Sequence, residues 1–312
     1  MLGSHSELDP PDSIPNSEVK RLSADDSVGS PHVKVGRCQA CYPEPQIGNY
    51  PGLFYMGIEI VSVETEIKSF LTPDALQRYS QWYCFDAIDS TNTFLYSKLD
   101  ELKDRSVCVA HTQTAGRGRR GKPWISEPSK GLYLSVAFDK KQFSAPLEGF
   151  SCALGLSLIH ALKPYSIPLT LKWPNDVWID NAKCAGILVE IFSSFIIVGL
   201  GLNFLTPSKS YSNAIGLESY IENVVDQVPK ITAQVLTELD KSVRLFAQEG
   251  FTPFVAEANH LNLLYNRPFT CLINNTEVEA TSGVISADGT LIVYQINGEK
   301  RICYSGEVSL KL

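Results

Sequence analysis

The 312-residue sequence predicts an α+β fold: a mixed, largely antiparallel sheet with helices, followed by a small C-terminal β-barrel. Three observations carry this. Strand-like runs follow one another as hairpins with few helical segments between them, unlike the strict alternation of a doubly wound sheet. Residues 230–249 form one long amphipathic stretch that closes on Gly250. From Asn266 the texture changes to short alternating strands, with turns at Ala287-Asp-Gly and Asn297-Gly.

The elements follow in order. Met1–Ser30 is rich in Ser, Pro and Asp with little to bury, which predicts disorder. The rest of residues 1–80 reads as a linker or appendage; "GLFYMGIEIVSVE" has strand character and Thr72-Pro-Asp opens a short helix. "WYCFDAIDS" is a strand ending in a turn. "STNTFLYSKLDEL" has a capping Ser/Thr/Asn start, then Phe94, Leu95, Leu99 and Leu102 at helical spacing. "SVCVAHTQ" and "GLYLSVAF" are strands on either side of a Gly/Arg loop. "GFSCALGLSLIHALKPY" is a helix stopped by Pro164, with His160 read as a surface or core histidine near its end. "LTLKWPNDVWI" and "KCAGILVEIF" are two strands about an Asp180-Asn181 turn, and "FIIVGLGLNF" is a third. The resulting division is 1–80 tail and appendage, 81–262 main domain, and 263–312 C-terminal β domain.

Composition narrows the class. Hydrophobic residues make up 44% and charged residues 20%, as in a soluble globular protein. The net charge of −7 excludes a global nucleic-acid footprint and leaves the Gly/Arg loop as a local exception. The longest apolar run, Phe195–Leu205, is too short to cross a bilayer, so no membrane partner is expected. The acid-rich N-terminus lacks the features of a transit or signal peptide, which points to the cytoplasm. Most of the eight cysteines lie in apolar periodic segments; Cys38-Gln-Ala-Cys41 has no second pair at zinc spacing, and a reducing compartment fits.

The loop "AGRGRRGKPW" (115–124) matches the dinucleotide pattern G-x-G-x-x-G through Gly116, Gly118 and Gly121. That fingerprint needs its third glycine to open a helix, on whose N-terminus the pyrophosphate rests. Here Lys122-Pro123-Trp124-Ile125 follows, which is β-like. What remains is a glycine-rich loop bearing Arg117, Arg119 and Arg120, suited to phosphate or carboxylate oxygens, beside the flat face of Trp124. Asp89-Ser-Thr-Asn92 either hydrogen-bonds a polar heterocycle or caps the next helix. Lys172-Trp-Pro-Asn-Asp176 ends a strand with an amide–acid pair or is a turn. Lys183-Cys-Ala-Gly-Ile187 sets a lysine before small residues, or is a surface hairpin.

Taken together in this order, these clusters resemble the biotin protein ligases. The matching run is Asp89–Asn92, Gln113–Gly121 with Trp124, Lys172–Asp176, Lys183–Glu190 and Gly199-x-Gly-x-Asn203, within about residues 82–312. The N-terminal eighty residues do not resemble the winged helix-turn-helix of the bacterial repressor-ligases, so no nucleic-acid partner is expected. The resemblance implies a class II synthetase-like biotin/lipoate ligase catalytic domain and an SH3-like C-terminal barrel. It implies ATP and Mg2+ with biotin as substrate, transfer through biotinyl-5′-AMP to a lysine, and apo biotin carboxyl carrier domains of carboxylases as acceptors; a homodimer is open.

By the same resemblance Lys183, Arg117 and Arg119 are catalytic. Ser90, Thr91, Asn92, Gln113, Gly116, Gly118 and Gly186 join them around biotin, with apolar residues near Ile187–Val189 and Gly199–Leu202. Arg119, Arg120, Gly121, Trp124, Asn175, Asp176 and Asn203 face the nucleotide, and Asp176 touches the metal. A lipoate–protein ligase and a non-catalytic biotin-binding module are the alternatives; the Gly/Arg loop and the C-terminal β domain favour biotin.

Overall fold

The structure, a computed structural model, describes residues 62–208, 213–273, 276–304 and 308–310. The expected disorder of Met1–Ser30, the Cys38/Cys41 pair and most of the strand-like 52–64 stretch lie outside the described residues. The end of that stretch is helical: Ser62 caps α1 (Val63–Phe70) by accepting from Thr65 N–H. Thr72 likewise caps α2 (Pro73–Arg78). These helices are more than an appendage to the core. Ile67 and Tyr79 are completely buried, and the Tyr79 hydroxyl donates to Leu236 O.

The main sheet has seven strands: β1 (Trp82–Ile88), β2 (Ser106–Gln113), β3 (Gly131–Asp139), β4 (Leu169–Lys172), β5 (Asp176–Ile179), β6 (Ala182–Ile191) and β7 (Phe195–Asn203), in spatial order 1-2-3-7-6-5-4. Only β1 and β2 run parallel; every other pair is antiparallel. The segment 169–179, expected as one strand, is a hairpin. Trp173-Pro174-Asn175 turns the chain and β5 pairs back on β4. Proline cannot donate to a ladder, so it breaks what the apolar pattern would continue.

One face of the sheet carries α4 (Phe150–Leu162), which is apolar on nearly all sides and buried accordingly. The amphipathic α5 (Val228–Glu249) covers it and ends at Gly250, whose φ of +65° suits glycine. Period-two alternation sends Leu132, Leu134, Val136, Val198, Leu200 and Leu202 into this core. The opposite face receives α3 (Thr91–Ser97), whose Leu95 clusters with Cys108, Ala137 and Ile197. The same alternation leaves Ser135, Gly186, Glu190, Gly199 and Gly201 on that face, and register aligns them: Ser135 opposite Gly199, and Gly186 opposite Gly201.

The C-terminal strands β8 (Phe269–Ile273), β9 (Thr276–Ile285), β10 (Leu291–Gln295), β11 (Lys300–Cys303) and β12 (Val308–Leu310) form an antiparallel sheet in the order 11-10-9-8-12. Gly289 and Gly298 take positive φ at the turns expected there. Before this sheet, Asn259 of α6 (Val255–His260) and Asn262 just after it donate to Ile285 O and Gly283 O. Phe269, Leu291 and Val308 join the main core.

Candidate active site

The 115–124 loop is a short tongue, not a helix-opening turn. Gln113 bridges Ser126 and Arg117 bridges Pro123 as isolated β contacts, and Trp124 N–H donates to Gly116 O. One 3-10 turn, Arg119–Gly121, forms its tip, with Arg120 and Gly121 at positive φ.

Behind the tongue the Ser90–Asn92 cluster is buried. Ser90 does the capping, accepting from Thr93 N–H at 3.4 Å. Gln113 Oε1 accepts from Thr91 N–H at 2.9 Å, while its amide donates to Ser126 Oγ at 3.0 Å. Ser135 Oγ lies 2.7 Å from Thr91 Oγ1 and donates to Asn92 Oδ1 at 2.6 Å. Asn92 Nδ2 donates to Glu190 at 2.9 Å. The Glu190 carboxylate also receives Arg117 through both guanidinium nitrogens, at 2.6 and 3.3 Å.

Further along, Arg119 Nη1 donates to Asn175 Oδ1 at 3.3 Å, and Asn175 Nδ2 donates to Ile187 O at 2.8 Å. The 173–175 turn is held from α4: Ser151 Oγ and Cys152 Sγ both donate to Pro174 O. Burial pushes the Cys152 thiol up to about 12, with Arg119 acting slightly against it, so at neutral pH the thiol keeps its proton and can donate. Lys183 Nζ is 2.6 Å from Asp176 Oδ1 and 5.3 Å from the Trp124 ring. Asn203 Nδ2 donates to Lys183 O and Ile215 O.

Trp124 lies flat on the sheet because two glycines allow it. A Cβ at Gly201 would sit 2.3 Å from its Cε2, and one at Gly186 3.0 Å from its Cζ3. Asn92 uses a third in the same way: a Cβ at Gly199 would be 2.3 Å from its Oδ1. Small residues on this face thus build the floor on which the polar groups rest.

These residues surround one cavity of about 720 Å³, a size suited to a small organic ligand. Arg117, Arg119, Arg120, Lys122, Lys172 and Lys183 line it against Asp176 alone among the described acids, so the cavity favours anions. Ser90, Thr91, Asn92, Gln113, Gly118, Trp124, Asn175, Gly186 and Asn203 line it too, whereas Gly116 and Gly121 do not. Val308 and Leu310 of β12 and Ile187, Leu188 and Leu200 of the sheet supply apolar wall. Glu190 and Ser135 carried no role in the sequence reading. Glu190 closes the Lys183–Glu190 run of the resemblance, and Ser135 is a hydroxyl at an inward position of an otherwise apolar strand. Among the described residues there is no group of three or more His, Cys, Asp or Glu able to hold a metal by itself, and no helix long and apolar enough to cross a membrane.

Comparison with known proteins agrees with this geometry. A model of the biotin/lipoate A/B protein ligase family matches residues 84–203. The bifunctional ligase/repressor BirA of Escherichia coli is 32% identical over 232 residues, 72% of each chain. The biotin--[acetyl-CoA-carboxylase] ligase of Mycobacterium tuberculosis is 35% identical over 177 residues, 53% of this chain and 65% of its own. Among solved structures, the biotin protein ligase from Aquifex aeolicus in complex with biotin and ATP aligns with a TM-score of 0.65 at 26% identity, covering 75% of this chain and 99% of that one.

Proposed function

The chain belongs to the biotin/lipoate A/B protein ligase family, and from that premise we propose that it is an ATP-dependent ligase that attaches biotin to a lysine of biotin carboxyl carrier domains. A carboxylate oxygen of biotin attacks the α-phosphorus of ATP. The bond to the bridging β-phosphate oxygen breaks, giving biotinyl-5′-AMP and pyrophosphate. The neutral amine of a carrier lysine then attacks the acyl carbon and loses a proton, and AMP leaves.

One observation supports this reading above the others: Lys183, Arg119 and Arg120 line the same cavity as Ser90–Asn92 and Gln113. A carboxylate and a triphosphate repel each other, and fixed cations between them lower the cost of approach and of charge in the displacement. Lys183 and Arg119 act as those cations. The Ser90–Asn92 and Gln113 end takes the ureido head of biotin, and Leu188 flanks its tail. Arg120, Trp124, Asn175 and Asn203 attend the nucleotide, and the tongue excludes water from the activated acyl group. Magnesium brought by the triphosphate would neutralise phosphate charge. Asp176, a lone lining carboxylate, fits the manner in which that ion is held by one or two carboxylates plus substrate phosphates.

Residues 81–262 carry this chemistry, with Val308 and Leu310 of the C-terminal β domain at the cavity wall, in a cytoplasmic enzyme. Incubating protein, ATP, Mg2+, biotin and an apo carrier domain should yield a streptavidin-detectable carrier. Labelling with lipoate in place of biotin would overturn the substrate assignment. Light scattering on the same sample tests whether two copies pair.

A further inference from the structure

Glu190 stands outside the cavity, yet two of the groups that line it end on its carboxylate. One is Arg117 of the tongue, held through both guanidinium nitrogens. The other is Asn92, in the first turn of α3, donating at 2.9 Å. The acid is nearly buried, with a side chain 10% exposed, and stands opposite Ile197 in the middle of the sheet. From Asn92 the hydrogen bonds continue through Ser135 to Thr91 and Gln113.

We propose that Glu190 is a positioning residue: its two oxygens set the spacing between the tongue and the Ser90–Asn92 end of the cavity, and thereby the fit of biotin. This rests on the ligase reading above. The physical reason is that Arg117 and Asn92 come from segments joined to the sheet at different points. A charged acceptor at one rigid strand position ties them with charge-assisted bonds, stronger than neutral ones. Arg117 is neutralised in this way, which suits it to hold the tongue in place. Holding the first set of groups by a second, buried set is how sites keep their geometry.

The test is Glu190→Gln, which keeps shape and removes charge, with Glu190→Asp, which keeps charge and shortens reach. In biotin-dependent pyrophosphate exchange, Glu190→Gln should raise KM for biotin by about tenfold, the scale of one lost charged hydrogen bond. KM for ATP should rise as well, since Arg120 and Trp124 ride on the same tongue, while thermal stability stays near wild type, and Glu190→Asp should recover part of the loss. A merely structural role would lower both substrates' kinetics together with thermal stability. A second readout needs no substrate: trypsin should cut at Arg117, Arg119 and Arg120 about tenfold faster in Glu190→Gln, with cleavage elsewhere unchanged. Unchanged biotin KM and unchanged tongue cleavage would overturn the proposal. Wild-type protein without exchange activity would sink the ligase reading instead, and the cleavage assay would still judge Glu190.

Discussion

Lys183 and Asp176 meet across adjacent strands β6 and β5, Nζ to Oδ1 at 2.6 Å, where the register slips between Val177 and Trp178. The contact is close but poorly aligned as a hydrogen bond, since Oδ1 has no partner with good geometry. It is an ion pair that a substrate anion can share. Lys183→Ala should therefore cost about 3 kcal/mol of transition-state stabilisation, the scale of one preorganised donor. Pyrophosphate exchange at saturating biotin measures it, and a near-wild-type rate would take Lys183 off the catalytic list.

The seat of Trp124 gives a second expectation. Gly201→Ala would put a methyl 2.3 Å from the indole, so the ring must leave the floor. Overpacking at such a contact costs about 1–3 kcal/mol. Acrylamide should quench the fluorescence of the Gly201→Ala protein more strongly, and ATP should bind more weakly. Unaltered quenching would mean that the tongue does not rest here in solution.

Arg119 latches the tongue to the 173–175 turn through Asn175 at 3.3 Å. In Arg119→Gly the latch is gone, and the mixed anhydride should form but escape. Mass spectrometry of bystander proteins should show raised lysine biotinylation; selectivity equal to wild type would argue against the latch.

Outside the cavity, Asp240 of α5 gathers Arg78, Arg105 and Arg244 at 3.0, 2.6 and 3.0 Å, and is 3% exposed. Removing the acid leaves guanidinium charge with less compensation, Arg105 being itself buried. Asp240→Ala should lose about 3–5 kcal/mol in urea unfolding. Because Arg78 belongs to α2, protease cuts between 62 and 80 should appear first. A loss below about 1 kcal/mol would mean that the clasp is screened by water.

Cys152 is one of several buried thiols, with Cys108 and Cys184, whose raised pKa sets an alkaline limit. Its folded pKa is raised from 9 to about 12, so the unfolded chain releases this proton first as pH rises. The stabilisation is complete below pH 9 and is lost between about pH 9 and 12, at roughly 1.4 kcal/mol per pH unit. Cys152→Ser keeps a donor for Pro174 O and should flatten that slope in urea titrations. An identical slope would assign the alkaline loss to other groups.

The glycine-rich tongue, the Ser90–Asn92 cap and the individual strands were legible to different degrees. Strands β2, β3 and β7 were plain because alternation with period two is a local property. The helix at 230–249 was plain because its apolar stripe repeats at 3.6 residues. The hairpin at Trp173-Pro174-Asn175 was legible only as one of two readings, since Pro-Asn-Asp is turn chemistry but a run of strand-forming residues on both sides looks continuous.

The amino-acid sequence by itself determined the α+β class, the long helix, the C-terminal strands and the inventory of cations, amides and glycines that the chemistry uses. Tertiary structure alone decided their partners: that Arg117 ends on Glu190, that Trp124 rests on Gly186 and Gly201, and that Lys183 shares its charge with Asp176. The reason is range. Periodicity and capping act over a few residues, whereas Glu190 reaches Asn92 across 98 positions, and only the register of a folded sheet brings such pairs within hydrogen-bonding distance.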